Sequence, residues 1–235
     1  MPWDFALILV VLATAAPILG KRRLRKLMAA EKTTKRDRLR LYASTVVSQW
    51  LAVAIVLWRA RARGIPLPQL GLAVPDVALT SVVTVLLVAL ILTNQLLSLR
   101  QLASGAAQAQ GMMVQLAARI FPQDNSERAA FTAVVFTVAI CEEIIYRGFV
   151  QTAFQRSVGL ASFGILASSV LFAVAHAYQG RRGMLPTFVV GLCFSTTRWW
   201  TGSLLAPMIT HFAADITAGM LAPMRIRASR TGAVE

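Results

Sequence analysis

The sequence predicts an all-α protein, a polytopic transmembrane helical bundle of about seven or eight helices. Three observations carry that reading. Hydrophobic residues make up 57% of the chain and mean hydropathy is +0.63. Charged residues are only 14%, where a soluble domain carries about a quarter. The apolar residues also fall into runs near the roughly 20 residues that cross a bilayer as a helix.

The first run is Trp3 to Leu19, with Asp4 near its start and Lys21, Arg22, Arg23, Arg25 and Lys26 after it. A secretory signal places its positive charges before the apolar run, so this one reads as a retained helix with its N-terminus outside. Leu41–Trp58 is the second span, followed by Arg59, Arg61 and Arg63. Gly64, Pro66, Pro68 and Gly71 form a loop, and the third span is about Val77–Leu97. Glutamines interrupt residues 101–121, which read as an interfacial helix. After a break from Pro122 to Ser126, Asn125 or Ser126 is placed to cap a fourth span, about Ala129–Phe154. The fifth begins between Gly159 and Ser162 and is expected to continue past Tyr178. Leu185–Trp200 is the sixth and Ser203–Leu221 the seventh, with Ser203 as a helix cap.

This organisation divides the chain into N-terminal helices with a basic loop (1–125), a helical core (126–222) and a short basic tail (223–235). The 24 Lys+Arg against 10 Asp+Glu do not point to nucleic acid. Ten of them lie in residues 21–40, and such clusters mark loops held in the cytoplasm. The expected setting is a multi-pass protein of a bacterial plasma membrane, N-terminus outside and C-terminus inside, with the lipid bilayer as its surroundings. Cys141 and Cys193 sit in apolar stretches and offer neither a disulfide framework nor a CxxC metal pair.

Polar residues inside the apolar helices carry the functional signal. Glu142, Glu143 and Arg147 fall within six residues of the fourth span. A charge at membrane depth costs several kcal/mol unless it is paired or meets water. Glu143 and Arg147 are four apart and share a helix face. Glu142 is turned from Glu143 by about 100°, so it is left for another partner. The two histidines, His176 and His211, also fall in predicted helices. His176 follows Phe172 by four residues, and His211 precedes Asp215 by four. A carboxylate at that spacing can orient the imidazole. The bland reading of these groups is a structural ion pair plus an Asp–His pair that holds the last helix in the bundle.

Three functional uses remain open for this set. Glutamate and histidine can polarise a water as general base, with a histidine or Asp215 stabilising an oxyanion. Glu142, His176 and His211 would instead bind a divalent metal such as zinc, leaving an open position for water. A proton or ion relay is the third use, although no paired, interrupted helices of a transporter are visible.

The order Glu-Glu-x-x-x-Arg (Glu142, Glu143, Arg147), Phe-x-x-x-His (Phe172, His176) and His-x-x-x-Asp (His211, Asp215) resembles the CPBP intramembrane proteases. That family includes the CAAX prenyl-protein endopeptidases and bacteriocin-processing and immunity-related proteins. The resemblance covers about residues 126–222, including Gly148-Phe149 and Thr201-Gly202-Ser203-Leu204. It implies an endopeptidase acting on a membrane-associated protein or peptide, or a non-catalytic binding or immunity protein of the same family. It further implies that Glu142 and His176 activate water, that Glu143 pairs with Arg147, and that His211 and Asp215 stabilise the oxyanion. No cofactor is required on the glutamate-type reading, and zinc on the metal-dependent one. The family's last motif often ends in Asn. Asp215 accepts only when ionised, so it would act protonated or by orienting His211. Other intramembrane protease types fit less well, because there is no His-Glu-x-x-His and Asp215 is the one clear intramembrane aspartate.

Overall fold

The computed structural model describes residues 1–103 and 119–231. The described elements are helical throughout: α1 (Trp3–Ala29), α2 (Lys35–Ala62), a 3₁₀ turn (Leu67–Leu70), α3 (Val77–Ala103), α4 (Asn125–Glu142), a π-helical stretch (Glu143–Val150), α5 (Gln151–Val158), α6 (Ala161–Ala175), a 3₁₀ turn (Ala177–Gln179), α7 (Gly180–Thr201) and α8 (Leu205–Thr231). α4, the π stretch and α5 run on without a break, which leaves seven helical segments among the described residues. Four of them are long and apolar enough to cross a membrane: Trp3–Ala29, Lys35–Ala62, Val77–Leu97 and Asn125–Val158. The expected all-α membrane bundle is therefore what the chain forms. Most of the expected interfacial helix, residues 104–118, lies outside the described residues, as do residues 232–235 of the tail.

Charged residues tie the helix ends together in two groups. At one end Lys35 meets Asp124 at 2.8 Å, and Arg38 grips buried Glu127 at two points, 3.0 and 2.8 Å. At the other, Asp4 accepts from Arg59 at 2.6 Å and from Arg63 at 2.8 Å. The start of α1 thus sits beside the end of α2, so the two helices are antiparallel. α2 packs along α4, α3 along α8, α6 along α7, and α1 against α6.

The ends of α4 differ from expectation. Its cap is Asp124, neither Asn125 nor Ser126. Asp124 has an extended backbone and its Oδ1 accepts the Glu127 N–H at 2.9 Å and the Ser126 hydroxyl at 2.7 Å. A carboxylate beside the exposed N–H groups and the positive end of the helix is favoured there. The Lys35 ammonium, the Glu127 N–H and the Ser126 hydroxyl hold the Asp124 carboxyl well below the usual carboxylate range. The helix starts at Asn125 and its continuation runs to Val158, closed by Gly159 at φ 79°.

The expected continuation of the fifth helix past Tyr178 is wrong. α6 stops at Ala175, and the His176 N–H bonds the Ala173 carbonyl in a tighter turn. The reason is local. His176 Nδ1 lies 2.8 Å from the Phe172 carbonyl, the acceptor that an α-helix would give to the His176 backbone N–H. The side chain has replaced the backbone bond. At 15 residues α6 is about 22 Å long, short of the ~30 Å hydrocarbon layer.

The loop between α2 and α3 folds back onto the π stretch. A side chain at Gly148 would put its Cβ 3.1 Å from the Leu70 carbonyl oxygen, so glycine permits the contact. Gly71, at φ 80°, accepts the Leu204 N–H at 2.9 Å and joins this loop to the start of α8. The core under it contains Ile144, Ile145 and Phe149, with the Phe5 ring edge-on to Phe149 at 4.7 Å.

Candidate active site

The π stretch gives the site its backbone. At its end the Gln151 N–H reaches back five residues to the Tyr146 carbonyl, which also accepts the buried Ser168 hydroxyl of α6 at 2.8 Å. Such widened turns occur mostly as short insertions in α-helices, frequently at functional sites. Glu143 and Arg147 lie within it, and Glu142 immediately precedes it.

Arg147 and Glu143 are both fully buried, with Arg147 Nη1 3.0 Å from Glu143 Oε1. The same oxygen lies 2.9 Å from Nδ1 of His211 on α8. His211 Nε2 is 3.6 Å from Asp215 Oδ2, within ion-pair range but beyond a direct hydrogen bond. Both imidazole nitrogens thus face carboxylates, an arrangement the doubly protonated ring satisfies. Glu143, Arg147, His211 and Asp215 form one connected chain of charge across the π stretch and α8. The expected Glu143–Arg147 pair is present, and His211 joins it through Nδ1.

Arg147 survives burial by stacking. Its guanidinium carbon sits 4.0 Å from the Phe172 ring centroid and 5.4 Å from that of Phe194. Cation–π attraction is strongest where water is excluded, and here it accompanies a single ion pair, since Nε and Nη2 have no hydrogen-bond partner. Glu143 Oε2 is likewise buried without one.

Glu142 is not part of that chain. Its Oε1 accepts from Gln49 Nε2 of α2 at 3.0 Å, while its Oε2 is buried with no hydrogen-bond partner. Adjacent residues of one helix therefore face different neighbours, as their angular offset requires. Gln49 is eight residues past Leu41 and nine before Trp58, so the Glu142 carboxylate lies at the middle of that apolar span.

His176 joins the group through Phe172, whose ring lies 4.6 Å from the His176 ring and 6.3 Å from that of His211. Because Nδ1 faces a carbonyl acceptor, it carries the proton. In the neutral ring Nε2 is left with its lone pair.

Among the described residues no three His, Cys, Asp or Glu side chains gather as a metal site would need. Glu142 is turned to Gln49 and His211 to Glu143 and Asp215.

Sequence reasoning missed Gln49, Ser168 and Phe194. The second span reads only as apolar, yet a glutamine amid such a run was a signal of the same kind as the glutamates. Ser168 and Phe194 carry no pattern that distinguishes them from ordinary helix residues.

Residues 124–217 match the family model described as type II CAAX prenyl endopeptidase Rce1-like. This region runs from the α4 cap into α8 and holds all six expected site residues, so it is the part of the chain that is similar to the CAAX-type intramembrane proteases. It is also similar to a protein of Escherichia coli described as an uncharacterized 24.3 kDa protein, 37% identical over 82 residues, or 34% of this chain and 37% of that one. The match thus spans little more than a third of that relative's length. No solved structure matches the chain.

Proposed function

We propose that the protein is an intramembrane endopeptidase that hydrolyses a peptide bond of a membrane-associated protein or peptide, with a prenylated CAAX-type C-terminus as the substrate class. The observation that carries this reading is the division between the adjacent glutamates. Glu143 shares its Oε1 between the Arg147 guanidinium and the His211 imidazole, whereas Glu142 meets only the neutral Gln49 amide on its Oε1 and has no cation on either oxygen.

In this reading Glu142 Oε2 takes a proton from a water as the water oxygen attacks the scissile carbonyl carbon. His176 Nε2 shares in accepting hydrogen bonds from that water. The carbonyl oxygen becomes an oxyanion, met by the N–H of His211 Nε2, which the 3.6 Å gap to Asp215 leaves without a tight acceptor. Donors set in advance where charge develops supply much of such catalysis. The proton on Glu142 then passes to the leaving amine as the C–N bond breaks, giving a carboxylic acid, which ionises by protonating the amine. Arg147 and Glu143 hold His211 in place. No step passes through a metal.

The topology that suits this reading places the basic α1–α2 end in the cytoplasm of a plasma membrane, with both termini of the α1–α2 hairpin's apolar spans at the far side. The test is cleavage of a farnesylated CAAX peptide by purified protein in detergent, with products identified by mass. Cleavage by wild type and none by Glu142→Gln is expected, unchanged by a chelator. An intact peptide overturns the substrate class. Loss of cleavage on chelation, restored by zinc, would overturn the glutamate-type chemistry.

A further inference from the structure

The apolar span of α2 carries four polar side chains near its centre: Ser44, Thr45, Ser48 and Gln49. Three are satisfied inside their own helix. Ser44 and Thr45 each donate to the Leu41 carbonyl at 2.9 Å, and Ser48 donates to the Thr45 carbonyl at 3.0 Å. Gln49 alone of the four reaches another helix, and what it reaches is Glu142, at 3.0 Å. An amide in the middle of a lipid-facing span is costly to place unless it is bonded. Its neighbours bear that out, because Val47, Trp50 and Leu51 are exposed apolar residues.

We propose that Gln49 is a positioning residue for the general base, so that the working site extends outside residues 124–217 into α2; this rests on the catalytic role given above to Glu142. The geometry supplies the reason. A carboxylate held at one oxygen has its rotation about the terminal torsion fixed, and the other oxygen is then aimed in one direction. For Glu142 that second oxygen is the buried, unpartnered Oε2. The chemical character of the partner matters as much. A cation in this position would tie up the carboxylate as Arg147 and His211 tie up Glu143. An amide donates one neutral hydrogen bond, which orients the group and leaves it able to take a proton. The bland alternative is that Gln49 merely satisfies a buried oxygen and so holds α2 to α4. That role belongs more plainly to Arg38 and Glu127, whose two-point pair joins the same two helices.

The two roles separate in kinetics. Gln49→Met keeps side-chain length and removes the donor. Gln49→Glu is nearly isosteric and replaces the donor with a second acceptor. Both variants, wild type and Glu142→Gln are purified in parallel, and farnesylated CAAX peptide cleavage and detergent melts are measured on each. General-base catalysis contributes about 10²–10⁴-fold, and a misaimed base forfeits about 10–100-fold of it. The expected result is a fall of that size in kcat for both Gln49 variants, with KM and the melting temperature close to wild type. Wild-type kcat in Gln49→Met, or a loss in both variants that follows a lowered melting temperature, overturns the positioning role while Glu142→Gln stays inactive. Cleavage by Glu142→Gln overturns the role of Glu142 as base and this inference with it; a wild-type protein that leaves the peptide intact overturns the substrate class and, with it, this inference.

Discussion

The N-terminal helices and the α4–π–α5 segment are alike in hydropathy and opposite in surroundings. In the most apolar stretches of Trp3–Ala29, Lys35–Ala62 and Val77–Leu97, 17%, 17% and 11% of residues are buried; in Asn125–Val158 the share is 56%. The first three therefore turn most of their surface to lipid, while the fourth is wrapped in protein. Hydropathy reports that a helix crosses, not what it meets on the way. The difference explains where charge is allowed. Ionised groups stand mid-helix in the wrapped segment, and in the lipid-facing helices they gather at the ends.

That contrast can be broken most severely at Arg147. Arg147→Ala leaves the Glu143 carboxylate buried with only His211, and the expected cost is about 3–5 kcal/mol of stability, read as a large drop in the detergent melt. Arg147→Lys is the sharper variant. It keeps the charge but loses the planar group that lies on Phe172, so cleavage should fall strongly while expression and melt stay near wild type. Full activity in Arg147→Lys would mean that charge alone suffices.

A smaller effect is expected at the end of the bundle. Arg38→Ala strips buried Glu127 of its two-point partner but leaves it the Gln123 N–H. The expected loss is about 1–3 kcal/mol. Per folded molecule the cleavage rate should not change, and a kinetic loss beyond the folded fraction would tie this pair to the site. Smaller still is Leu86→Ala on the lipid face of α3, where the side chain is 64% exposed. The melt should move by no more than about 0.5 kcal/mol equivalent.

The smallest effect is a pH dependence at Asp124. Its folded carboxyl is held below the usual range, so its contribution is present above about pH 4, the ordinary carboxylate value, and is lost as pH falls through the lowered one. Asp124→Asn keeps a capping oxygen and removes the ion pair with Lys35. Melts of variant and wild type should differ slightly at neutral pH and converge in strong acid. A constant difference at every pH would place the effect in the cap instead.

Much of this was legible in the sequence. The Glu143–Arg147 spacing gave the buried pair because four residues on a helix bring two side chains together whatever surrounds them. The His211–Asp215 spacing likewise brought those two groups to 3.6 Å, with Asp215 half-exposed. What was not legible depended on contacts between distant segments. Nothing in residues 41–58 tells that Gln49 meets Glu142, or in residues 35–40 that Arg38 meets Glu127. The break after Ala175 was hidden for a different reason: Phe-Ala-Val-Ala-His reads as good helix until the histidine takes the Phe172 carbonyl for itself. The π stretch leaves no trace in periodicity at all, since one widened turn shifts the pattern by less than a residue.

The central claim is that two adjacent glutamates do separate work, Glu142 as base and Glu143 as the anchor of a buried charge chain. Glu142→Gln and Glu143→Gln test it side by side, each scored for cleavage of the farnesylated peptide and for its melt in detergent. The account predicts that Glu142→Gln abolishes cleavage and melts like wild type, whereas Glu143→Gln melts well below it because Arg147 loses its one carboxylate partner and His211 keeps only Asp215. Equal melts for the two variants, or cleavage that survives in Glu142→Gln, would contradict it.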